Sequence, residues 1–219
     1  MTEQDWLACD DPEAMLEFVR NRGGSNRRLR LWTAAARFGT AAALGPLDHM
    51  MRALLESVAD ECLSAPEIDR VKADCWAYFN ERALSIADPI VVGIYRSELQ
   101  AQLELANSQD AYHCAAWAVL RLTNQFEAAT SESQPLPHYF RDIFGNPFRP
   151  VAFFPEWRTS AAVAVAGGMY ESRNFDAMPI LADALQDAGC DSDDVLEHCR
   201  GPGPHVRGCW VVDLVLEKA

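Results

Sequence analysis

Residues 209–216 read CWVVDLVL, the one run in the chain that fits a buried β-strand as well as a helix. Periodicity alone does not separate the two in so short an apolar stretch. The rest of the chain decides it, because no second convincing strand is present to pair with this one. The run is therefore predicted to be the last helix, opened by Pro204 as first-turn proline and bearing Val206, Trp210 and Leu214. That choice makes the protein all-α.

Working outward, the other segments carry helical punctuation. In PLDHMMRALLESVADEC, residues 46–62, the apolar positions Leu47, Met50, Met51, Leu54, Leu55, Val58, Ala59 and Cys62 recur at i, i+3, i+4, i+7 through four turns. Asp11-Pro12 and Asp88-Pro89 each pair an N-capping residue with a first-turn proline, and Pro66 opens a helix striped by Ile68, Val71, Cys75, Tyr78 and Phe79. Ser108 caps a further helix bearing Tyr112, Ala115, Val119 and Phe126, and the stretch HYFRDIF from His138 forms a short one stopped by Gly145. Helices are also predicted from Pro155 to Ser172, from Met178 to Ala188 ahead of Gly189, and from Asp191 to Cys199. The expectation is a compact bundle of nine or ten helices in one or two packed subdomains. Its parts are an N-terminal helical region (1–130), a Pro/aromatic connecting segment (131–157) introduced by ATSESQPLP, and a C-terminal helical region (158–219).

The chain has 219 residues, is 49% hydrophobic and has a formal charge of −13. Such a charge repels nucleic acid and anionic membranes at long range, so neither is an expected partner of the whole surface. The longest small-residue apolar stretch, AAVAVAGGM, is about half of the ~20 residues a membrane helix requires. The acidic start MTEQDWLACDDPEAM lacks the basic and apolar regions of a secretory signal, and seven cysteines read as reduced thiols. A soluble cytoplasmic protein is the expectation.

The wording at the two ends is distinctive: WLACDDPEAMLEFV near the start, FRDIFGNPFRPV from Phe140, and FDAMPILADALQDAGCDSDDVLEHCRGPGPHVRGCWVVDLVLEK at the end. These stretches, roughly residues 1–35 and 136–219, resemble a family of planctomycete bacterial proteins. Members of that family often carry Cys-Cys-Arg-Arg after the LRLW position, where this chain has TAAARFG. A role resting on that cysteine pair does not transfer. The resemblance implies no activity, cofactor or catalytic residue.

Three groups of residues are candidates for function. In HCRGPGPHVRGCW, residues 198–210, a helix starting at Pro204 would put His205 and Cys209 four apart on one face, with Cys199 and Cys190 as further ligands of a zinc ion. No CxxC pair supports that reading, and the preferred one is a helix corner built by Gly201, Pro202, Gly203 and Pro204 around buried thiols, with Trp210 as a wedge buried against Leu181, Leu185, Val195 and Leu196. His198 is expected to point away from Cys199. A catalytic thiol is disfavoured, because Cys199 ends one helix and Cys209 lies inside the next. The second group is the arginine island of residues 20–37, six arginines without an acid, whose Arg27, Arg28 and Arg30 could meet phosphates while Trp32 stacks. The same guanidiniums would serve equally to pair with acids of residues 3–17. The third is NPFRPVAFFPEW, whose Phe148, Phe153, Phe154 and Trp157 either close the core or anchor a partner.

No GxSxG, HExxH, Walker or GxGxxG pattern occurs, so no cofactor is expected. The leading expectation is a non-enzymatic helical domain that binds another protein in a regulatory or adaptor role. The alternatives are a zinc-dependent protein or enzyme centred on the C-terminal Cys/His corner, and nucleic-acid binding through the island.

Overall fold

The computed structural model describes residues 1–38, 45–86, 88–106, 110–126 and 136–218. Among them every regular element is helical, so the run from Trp210 to Leu216 is a helix and the described fold is all-α. Twelve α-helices are present among the described residues, against nine or ten expected. One that the sequence reading lacked is α1 (Glu3–Ala8), six residues started by a capping box between Thr2 and Asp5. No helix of the described residues is long and apolar enough to cross a membrane.

The chain divides into two units, one of Leu16–Gln134 and one of Met1–Met15 with Pro135–Ala219. α2 (Pro12–Asn21) runs across the division, with its N-terminal amides capped by Asp11 Oδ1.

In the unit of residues 16–134, α3 (Asn26–Phe38) packs against both α4 (Pro46–Ala59) and α7 (Ala111–Phe126). Its run Thr33-Ala34-Ala35-Ala36 is buried, and small side chains there let neighbouring helices approach closely. The stripe predicted on α4 is the buried one, through Met51, Leu54, Leu55 and Ala59, whereas Cys62 lies past the helix end and is exposed. α5 (Ala65–Ala83) adds Ile68, Cys75 and Phe79, and α6 (Pro89–Ala106) adds Leu99 and Leu103. Asp88 caps α6 as the Asp-Pro pair predicts, its Oδ1 accepting from the Ile90 amide at 2.8 Å.

The other unit holds the C-terminal helices. α8 (Leu136–Phe144) buries Leu136, Tyr139, Phe140 and Ile143, and stops at Gly145, which takes a left-handed φ of 65°. A 3-10 turn (Pro155–Trp157) then precedes α9 (Ser160–Ser172). The single helix predicted from Pro155 is thus interrupted, because Thr159 takes an extended conformation and caps α9 by accepting from the Ala162 amide. α10 (Met178–Asp187) closes through Gly189, whose φ of 87° carries the chain away as predicted, and α11 (Asp193–Arg200) packs on it. Their core joins Ala166, Met169, Leu181, Leu185, Val195 and Cys199 to Val211, Val212 and Val215 of α12 (Trp210–Leu216).

The start of the last helix requires a correction. It begins at Trp210, with Cys209 in the N-cap position, so residues 202–209 are not helical and Pro204 is no first-turn proline. The cause is a competing hydrogen bond: the Val206 amide donates to the buried carboxylate of Asp142 at 2.8 Å, which draws the loop across α8. Trp210 is accordingly half-buried at a helix start, its ring beside His198, and it packs against the core of Leu181, Leu185, Val195 and Leu196 without being sunk into it.

Candidate metal centre

Asp142 is the pivot of the C-terminal corner. On α8 it stands three residues after Tyr139, at the margin of the apolar face, and its side chain is 3% exposed. A carboxylate so placed needs donors for both oxygens. Oδ1 accepts from His205 Nδ1 at 2.8 Å and faces His198 Nε2 at 3.2 Å, while Oδ2 takes the Val206 amide. These groups come from three places: α8, the last turn of α11, and the loop of residues 201–208.

Cys209 completes the cluster. Its Sγ lies 3.2 Å from His198 Nε2, so that nitrogen is equidistant from the carboxylate and the thiol. One ligating atom from each of Asp142, His198, His205 and Cys209 lies within 4.8 Å of every other. The imidazoles meet edge to face, with centroids 4.9 Å apart, and the Trp210 ring covers His198 at 5.1 Å. His205 is nine-tenths buried and its Nε2 has no hydrogen-bond partner, a polar atom held out of water without compensation.

Electrostatics bind the cluster together. Burial pushes the Asp142 carboxyl up, but hydrogen bonds from His198 and His205, with their charges, hold it below the usual carboxylate value. Burial raises the Cys209 thiol well above its ordinary value, and the Asp142 carboxylate adds to that. Cys199 behind it is pushed up to about 12, mainly by burial. Without a cation, both sulfurs are neutral thiols. A divalent ion among the donors would invert that preference for Cys209, since metals bind the thiolate and displace its proton.

Of the four zinc ligands named from sequence, the structure brings His205 and Cys209 together but leaves Cys190 and Cys199 in the hydrophobic core. Asp142 and His198 stand in their place. His205 and Cys209 meet through a loop rather than along one helical face, because the last helix begins only at Trp210. Sequence reading missed Asp142 because it lies about sixty residues upstream. It missed His198, expected only to point away from Cys199, although His198 follows the buried Val195 by three residues.

The other candidates are distributed differently. In the arginine island, Arg27 pairs with Asp60 at 2.9 Å and Arg37 with Glu98 at 3.2 Å, while Arg20 lies over the Tyr112 ring at 4.0 Å. Arg28 and Arg30 are half-buried and engaged in contacts of their own, and Trp32 is fully buried and offers no face for a base. Of the four aromatics, Trp157 is in the core, Phe153 packs partly against it, Phe148 is half-buried, and Phe154 alone is exposed. They do not make a shared exposed patch. No protein-family model, curated protein or solved structure matches the chain.

Proposed function

We propose that the C-terminal corner is a structural metal centre for a single zinc ion, held by Asp142, His198, His205 and Cys209. The observation that carries this reading is the convergence of four ligating atoms within 4.8 Å. With zinc bonds of about 2.0–2.3 Å, neighbouring donors of a tetrahedron stand about 3.3–3.7 Å apart. The donor separations of 2.8, 3.2 and 3.2 Å are close to those edges, so small shifts would complete the shell. Two imidazoles, a thiolate and a carboxylate form a mixed set that suits zinc better than the all-oxygen shells of magnesium or calcium. One carboxylate and one thiolate also balance a divalent charge, which makes the site neutral in a buried setting.

Four protein donors leave no open position for substrate or activated water, and the role is therefore to hold chain segments together rather than to catalyse. The test is metal analysis of the purified protein with thermal melts. Zinc at one equivalent, and a melting temperature lowered by about 10 °C on chelation, is the expected result. Metal-free protein that takes up no zinc and melts unchanged with chelator would overturn it.

A protein-interaction role is a second reading, favoured by Ile90, Ile94 and Tyr95, which are exposed along α6 beside a groove reaching Trp117. Replacing Ile90 and Ile94 with glutamate tests it: an interaction through this face is lost while the fold is kept.

A further inference from the structure

We infer that zinc occupancy of this centre controls the docking of the amino-terminal helix α1. The inference rests on the metal reading above and adds a consequence to it. α1 is held by one buried side chain, Trp6, which is fully inaccessible, while its neighbour Leu7 is 55% exposed. The socket for Trp6 is assembled from the end of α8 and the turn after it. The Trp6 indole N–H donates to the Gly145 carbonyl at 3.1 Å, and the Arg141 guanidinium donates to the carbonyls of Trp6 and Cys9. Asn146 and Arg149 both reach the Glu3 carboxylate, at 2.8 and 2.7 Å.

Two connections run from the metal centre to this socket. Arg141, which clamps the carbonyls of α1, is the immediate neighbour of Asp142 on α8, so the position of one constrains the other. The second passes through Trp210, whose ring stands beside His198 and also presses on Gly145, the residue that receives the Trp6 indole. An ion that fixes Asp142 and His198 thereby fixes both halves of the socket. With the ion removed, hydrogen bonds replace the metal bonds that join Asp142 to His198 and His205, and the last turn of α8 and the Trp210 ring keep only these and their apolar packing. A six-residue helix with one buried anchor belongs to the least stable part of a fold, and is the element expected to open first. Its departure would bare Trp6 and the socket to solvent or to a partner.

Coupling of this kind is reciprocal: if zinc strengthens the docking of α1 by some factor, docking of α1 strengthens zinc binding by the same factor. The experiment uses the full chain. Zinc affinity is measured by competition with a chromophoric chelator for wild type, Trp6→Ala, Arg141→Gln and, as a control on the exposed side of α1, Leu7→Ala. Amide hydrogen exchange is followed with and without zinc. The expected result is about a tenfold loss of zinc affinity in Trp6→Ala, a smaller loss in Arg141→Gln and none in Leu7→Ala. Zinc should slow exchange of residues 3–9 by a similar factor while exchange in α3 stays unchanged, which separates undocking from global unfolding. Tight zinc binding with Trp6→Ala and Arg141→Gln both within twofold of wild type would overturn the coupling and leave the metal centre standing. Absence of zinc binding by the wild type would remove the metal centre, and this inference with it.

Discussion

The indole of Trp210 lies so close to the α-carbon of Gly145 that a β-carbon there would stand 3.2 Å from its Cγ. Gly145 also holds a left-handed φ of 65°, so a side chain at this position meets backbone strain and crowding together. Gly145→Ala should destabilise the protein by about 1–3 kcal/mol, read from urea unfolding. Because the displaced ring covers His198, the same variant should weaken zinc binding. Unchanged stability would show that the turn relaxes without cost.

The pair Arg27 and Asp60 supports a second prediction. The Asp60 side chain is 1% exposed and the Arg27 side chain 14%, so removing the guanidinium takes a charged partner from a buried carboxylate. Arg27→Ala should cost about 3 kcal/mol in urea unfolding. Arg27→Lys should recover part of it, since an ammonium restores the charge without the planar fork. The same engagement predicts no salt-sensitive shift of DNA or RNA in an electrophoretic titration at low ionic strength, and a clear shift would restore the island as a nucleic-acid surface.

The contrast between the island and the metal corner shows what the sequence makes legible. Helices announced themselves wherever a capping residue, a first-turn proline and a 3.6-residue stripe coincided, as in α4 and α6, because those signals are local. CWVVDLVL was settled by an equally simple argument, the lack of a pairing strand. The residues of the C-terminal cluster were half legible. His205 and Cys209 lay within one suspicious stretch, but the loop that joins them is shaped by Asp142, and nothing in local pattern reveals which distant amide a buried carboxylate will capture. The pairing of Arg27 with Asp60 across α3 and α4 was hidden for the same reason.

Cysteine chemistry gives a prediction independent of the metal centre. Burial is the main cause that pushes the Cys75 and Cys114 thiols up to about 11, whereas Cys62 is exposed and Cys9 partly so. At pH 8 a disulfide reagent should label Cys62 and Cys9 quickly and leave the buried thiols until the protein unfolds. The raised values also fix a sign for stability. Between the ordinary value of 9.0 and about 11 the unfolded chain has lost these protons while the native state keeps them. Stability from both thiols is therefore complete below pH 9 and falls as pH rises through that window. Melting temperatures between pH 8.5 and 11 check it, and a Cys75→Ala, Cys114→Ala double variant should show a shallower decline.

Asp142 is the residue on which the corner depends, and its two simplest replacements should behave differently. Asp142→Asn keeps the shape and one acceptor oxygen, but turns an amide N–H₂ toward a donor, either the Val206 amide or the histidine pair. Asp142→Ala removes both acceptors and leaves the Val206 amide and His205 Nδ1 buried without partners. Hydrogen bonds to a charged group are worth about 1.5–3 kcal/mol each, so the alanine variant should lose about 3–5 kcal/mol and the asparagine variant about 2–3 kcal/mol, both in chelator. In zinc the gap from wild type should widen for both, since each also loses a ligand and wild type gains the binding energy of the ion. Urea unfolding of the three proteins with and without zinc makes the measurement. If the gap is the same in both conditions, Asp142 serves only as a hydrogen-bond acceptor for the loop, and zinc, where it binds, is held without it.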